Sequence, residues 1–104
     1  NLTGGVDFMR INLDEQFLNL YGEPLEGEKM ADVLAALLAE ASTDDPEKMH
    51  SWAVNLANEG CVNINAEDAK LLISFIKYSP NLKNLAKAQL IERIKKAIEH
   101  EKVS

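Results

Sequence analysis

Side chains able to do chemistry are few in this chain, and their spacing argues against most reactions. Its 104 residues hold two histidines and one cysteine. His50 stands beside Trp52 in a segment of helical periodicity, and His100 lies near the C-terminus, so no His-x-x-x-His pair puts two imidazoles on one helical face. Cys61 follows Gly60 at the head of a short apolar segment. A nucleophilic thiolate needs a helix N-terminus or a nearby cation to lower its pKa, and the sequence supplies neither there, so Cys61 is expected to be a buried, inert thiol. Asp44 and Asp45 resemble an acid/base pair, but immediately before Pro46 they occupy a helix-capping position. Glu67 and Asp68 fall in a first helical turn, where acids offset the helix dipole. Neither Gly4-Gly5 nor Gly22 is followed by the Gly-Lys-Ser/Thr of a phosphate loop. The cluster Asn63, Asn65, Glu67 and Asp68 lacks the central glycine of a calcium loop. The expectation is a protein that is not an enzyme, with no catalytic, cofactor-binding or metal-ligating residue.

The elements that position these residues read as a strand region followed by four helices. From Arg10 to Leu20, Ile11, Leu13 and Phe17 share one parity while Asn12 and Asp14 take the other, the period-2 pattern of a half-buried strand. Leu18 and Leu20 have the opposite parity, which predicts a bulge or bend near Asp14-Glu15-Gln16 and leaves one apolar set outside or covered by something else, such as a second copy. Tyr21-Gly22-Glu23-Pro24 is turn chemistry, and Leu25-Glu26 is expected to return as a second strand, closing a hairpin. Met30, Val33, Leu34, Leu37, Leu38 and Ala41 form one stripe at helical spacing. Asp45-Pro46 starts a second helix through Met49, Trp52 and Leu56, and Gly60 ends it. Cys61 to Ile64 is a short third strand, expected at the edge of the hairpin. Asn65 caps a third helix with Leu71, Leu72, Phe75 and Ile76 as its buried stripe. Ser79-Pro80 is expected to start a fourth, carrying Leu82, Leu85, Leu90, Ile91, Ile94 and Ile98. The fold class expected is therefore α+β, mainly α: an N-terminal β-hairpin with a short third strand, packed on about four helices. Residues 1–8 lack the basic head and apolar middle of a secretory signal and are expected to be a flexible N-terminal extension, with residues 9–104 forming one α+β domain.

Charge is divided along the chain. Residues 1–69 hold fourteen acidic and three basic side chains, a net of −11, whereas residues 70–104 hold eight basic and three acidic, a net of +5. An acidic part and a basic part suit a charged protein partner or head-to-tail association of copies. The basic part includes Lys83 and Lys87, at i, i+4 on one helical face. A nucleic-acid reader is disfavoured, because the chain is net −6 and no exposed aromatic series accompanies the lysines. No apolar run approaches the roughly 18 residues of a membrane span.

Met9-Arg10-Ile11-Asn12-Leu13, followed by Phe17-Leu18-Asn19-Leu20-Tyr21-Gly22-Glu23-Pro24-Leu25, resembles the opening of small phage and prophage proteins. The Ala/Leu-rich segment Met30 to Ala41 and the closing Leu85-Ala86-Lys87-Ala88-Gln89-Leu90-Ile91-Glu92 resemble the same proteins. The resemblance covers residues 9 to 94, rests on structural punctuation, and brings no catalytic residues. It implies a non-enzymatic accessory protein acting by protein–protein binding in tail or head assembly, similar to tail-assembly chaperones. Its partner would be a virion structural protein or a further copy of itself, and its setting the cytoplasm of the bacterial host, in keeping with a single cysteine and no signal. The alternative is a small regulator that contacts nucleic acid or a DNA-bound protein through the basic C-terminal helix. A host-directed inhibitor with an acidic binding face is a third. The residues expected to meet a partner are Phe17, Leu18, Leu20, Trp52, Lys83 and Lys87.

Overall fold

A computed structural model describes residues 8–103. Its elements are β1 (Met9–Asn12), β2 (Gln16–Leu18), β3 (Pro24–Lys29), α1 (Met30–Glu40), α2 (Pro46–Glu59), β4 (Cys61–Ile64), α3 (Ala66–Lys77) and α4 (Asn84–Val103). The class is α+β and mainly α, as expected. Of the expected extension over residues 1–8, only Phe8 lies within the described residues.

The strands pair differently from the expectation. One strand from Arg10 to Leu20 gives way to two short ones, β1 and β2, and each belongs to its own two-stranded sheet. β2 pairs antiparallel with β3 to make the hairpin, while β1 is the neighbour of β4, so the third strand does not extend the hairpin. Local hydrogen bonding explains the break. The Asp14 N–H donates to Asn12 Oδ1 at 3.0 Å, a side-chain turn that takes the place of ladder pairing. Both backbone groups of Leu13 are also committed elsewhere: its N–H donates to the Gly60 carbonyl at 2.8 Å, and its carbonyl accepts from the Ala31 N–H at 2.9 Å.

The described chain divides into two compact units, one formed by Asn12–Val62 and the other by residues 8–11 together with 63–103. In the Asn12–Val62 unit, α1 packs on α2, with Leu34, Leu38, Met49, Trp52 and Leu56 buried. The buried stripe of α1 is rotated from the expected one toward alanine: Ala31 and Ala35 are buried, whereas Val33 and Leu37 are half-buried. Asp45 caps α2 by accepting from the Lys48 N–H at 3.2 Å, with Pro46 in the first turn. Gly60 closes α2 at φ +74°, and its N–H donates to the Leu56 carbonyl. Cys61 is buried at the start of β4.

In the other unit, α3 packs on α4 around Ala69, Leu72, Ile76, Leu90, Ile94 and Ile98. Asn65 caps α3 through a 2.7 Å bond from the Asp68 N–H. Leu71, expected in the buried stripe, is instead 46% exposed, because that stripe runs through 69, 72 and 76 and leaves position 71 on the far side. α4 begins at Asn84 and not at Pro80. The chain after α3 is held by that helix: the Tyr78 N–H donates to the Ser74 carbonyl and the Ser79 N–H to the Ile76 carbonyl, so a new helix axis cannot start at once. The first helical bond of α4 is then Lys87 N–H to the Lys83 carbonyl at 3.0 Å.

Candidate functional site

The β2–β3 hairpin combines order with exposed apolar side chains. Its turn, residues 19–23, is organised by Asn19. The Asn19 Oδ1 accepts from the Tyr21 N–H at 2.8 Å and from the Glu23 N–H at 3.0 Å, while Nδ2 donates to Glu23 Oε1 at 3.1 Å. The backbone adds Asn19 N–H to the Glu23 carbonyl and Gly22 N–H to the Asn19 carbonyl, with Gly22 at φ +83°. Asparagine suits this role because its short amide reproduces a backbone turn. The side chains held at the tip are nonetheless apolar: Leu20 and Tyr21 are each 86% exposed.

The strands continue this surface. Leu18, opposite Pro24, is exposed, as is Leu25, whereas Phe17 points inward and is buried. Pairing slips between Gln16 and Leu18, and the Gln16 amide fills the gap. Oriented to satisfy its neighbours, its nitrogen donates to the Leu25 carbonyl at 2.8 Å and the Gly27 carbonyl at 3.2 Å. The surrounding charge is of one sign: between Glu15 and Glu28 there are four carboxylates and no cation. Lys29, at the end of β3, is engaged by Asp14 at 2.9 Å. That hydrogen bond, and next the carboxylate charge, raise the Lys29 pKa above its ordinary 10.5.

An apolar groove of about 400 Å³ runs along α1 and α2, lined mainly by Ala35, Ala36, Ala39, Val54 and Ala57. A smaller, polar hollow of about 230 Å³ lies beside Asp14, Lys29, Asp32, Glu59 and Gly60. Among the described residues, no three of His, Cys, Asp and Glu come together as a metal-binding group, and no helix is long and apolar enough to cross a membrane.

The six residues expected to meet a partner thus separate. Leu18 and Leu20 come together on the hairpin surface. Phe17 and Trp52 are buried, so they hold their own surroundings rather than face a partner. The Lys48 ammonium lies 5.9 Å from the Trp52 ring centroid. Lys83 is exposed in the other unit. Lys87 donates through Nζ to the Lys77 carbonyl at 2.9 Å, where it satisfies the C-terminal end of α3. Tyr21 and Leu25 were not among the residues expected to meet a partner. The available signal was Asn19, whose spacing from Gly22 fits a side-chain-organised turn that would carry residues 20 and 21 outward. Comparison of the chain with protein families, with curated proteins and with solved structures found no match.

Proposed function

We propose that this chain is a non-catalytic protein-binding module whose contact surface is the β2–β3 hairpin. The observation that carries the reading is the exposure of Leu20 and Tyr21 on a turn fixed by five hydrogen bonds involving Asn19. Exposing two large apolar side chains costs solvation, and ordering the segment costs conformational entropy. A turn ordered in advance lowers what must be lost when a partner binds. The resemblance to small phage and prophage proteins adds a setting, virion assembly in a bacterial cytoplasm, with a virion structural protein or a further copy of this chain as partner.

The test is affinity capture from nuclease-treated lysate of induced host cells, using the tagged chain beside a Leu20→Asp/Tyr21→Ser variant. Recovery of virion proteins by the native chain, with at least about tenfold less on the variant, is the expected result. Equal recovery by both would remove the hairpin from the reading. Recovery of polymerase, repressor or ribosomal proteins would favour regulation over assembly.

A further inference from the structure

A second exposed apolar surface lies on α3, and it is complementary to the hairpin in charge. Leu71 is 46% exposed, and Tyr78, at the C-cap of α3, is 74% exposed. They are spaced i, i+7, and so share a face. Lys70 and Lys77 have the same spacing and are also exposed, with Ser74 between the two pairs. The Lys77 ammonium lies 5.8 Å from the Tyr78 ring centroid, so cation and aromatic form one unit. From Lys70 to Ile91 there are four lysines and no acidic residue. The opposition holds for the whole units. Residues 12–62 carry eleven acidic and two basic side chains, net −9, while the remainder of the chain carries six acidic and nine basic, net +3.

Among the described residues, six of the eight large hydrophobic side chains left exposed belong to these two surfaces: Leu18, Leu20, Tyr21 and Leu25 on the hairpin, Leu71 and Tyr78 on α3. We infer that the occupant of the hairpin is a second copy of this chain, which presents its α3 face. In that contact Leu20 and Tyr21 pack against Leu71 and Tyr78, while Glu23, Glu26 and Glu28 face Lys70 and Lys77. The inference rests on the hairpin being a protein-binding surface and names what it binds. Such a contact joins unlike surfaces, so a pair keeps one free hairpin and one free α3 face, on different copies, and association passes from copy to copy. Apolar packing and the opposite charges together supply the affinity, and the charges also supply orientation and the rejection of like faces. A patch of this size gives weak, reversible association, with a Kd of about 10–100 μM.

Sedimentation of the full chain at increasing concentration tests this, in about 50 mM and about 500 mM salt. The expected result is a weight-average mass that climbs above 11.5 kDa with concentration at low salt and falls back at high salt. Two variants, Glu26→Lys/Glu28→Lys and Lys70→Glu/Lys77→Glu, should each lose about tenfold or more in self-association. Mixing them should restore it, because each reversed face then meets an opposite one, and that recovery also shows that both variants fold. A chain that stays at 11.5 kDa throughout, or association that neither reversal weakens, overturns the second copy as occupant. Installing a photocrosslinker at Tyr21 separates the two failures. A monomeric chain that crosslinks to another protein keeps the hairpin as a binding surface and overturns self-association, whereas a monomeric chain that crosslinks to nothing in host lysate overturns both.

Discussion

The α1–α2 pair and the β2–β3 hairpin dispose of apolar residues in opposite ways. Along α1 and α2, leucine, methionine and tryptophan are buried, while Asp45 caps the start of α2 and Gly60 closes its end. In the hairpin, polar groups are the framework: Asn19 and Gln16 make the hydrogen bonds that set its shape, and leucine and tyrosine face solvent. The contrast implies that stability and binding rest on different residues. A core side chain lost from the helix pair should unfold the unit, whereas one lost from the hairpin tip should leave folding intact and remove the contact.

Trp52→Ala should give the largest effect, a loss of about 3–5 kcal/mol, read by chemical denaturation, since it empties a large buried site. Gly60→Ala follows. Its left-handed backbone alone costs roughly 1–3 kcal/mol for a residue with a side chain. The added Cβ would also stand 2.6 Å from the Asp14 Cβ, so the cost should exceed that of an ordinary glycine replacement in the same denaturation assay. Asn19→Ala sharpens the contrast from the other side. It removes the three exposed side-chain hydrogen bonds of the turn, worth about 1 kcal/mol together, and leaves its two backbone bonds, yet should weaken partner capture as much as Leu20→Asp/Tyr21→Ser does. A Leu20→Ser/Tyr21→Ser chain should stay within about 0.5 kcal/mol of the native stability while losing the contact. If that variant instead melts like Trp52→Ala, the hairpin surface belongs to the core and the contrast fails.

The smallest effect concerns pH. The folded pKa of Lys29 is raised by its Asp14 partner, so whatever the pair contributes is complete below the ordinary value of 10.5 and is lost as pH rises through the raised one. Thermal melts of the native chain and Lys29→Met, compared at about pH 9 and about pH 11.5, should converge at the higher pH. Divergence there would assign Lys29 a role other than charge.

How far these regions could be read from the chain follows from the range of the interactions. The caps at Asp45-Pro46, Asn65 and Gly60 use groups within a few residues of one another, so residue type and spacing were enough. Strand pairing was not legible at that range. β1 and β2 are each short enough to pair with several segments, and their choice depends on where Leu13 spends its backbone groups, which involves Gly60 and Ala31. Proline misled at Pro80 because a proline tolerated in a first helical turn is equally at home in the turn that follows a helix. At the hairpin, the opposed parities of Phe17 and Leu18 did show that one set must face out, and Phe17 is the buried one. Trp52 illustrates the reverse difficulty, since a tryptophan on a helical stripe reads alike as anchor or contact until its neighbours are placed.

The burial of Cys61 turns the molecule into its own recorder. With a single sulfhydryl in the whole sequence, sealed at the head of β4, an alkylating reagent marks a chain only when that segment opens. The speed of marking therefore follows the breathing of one strand, with no second thiol to blur the signal.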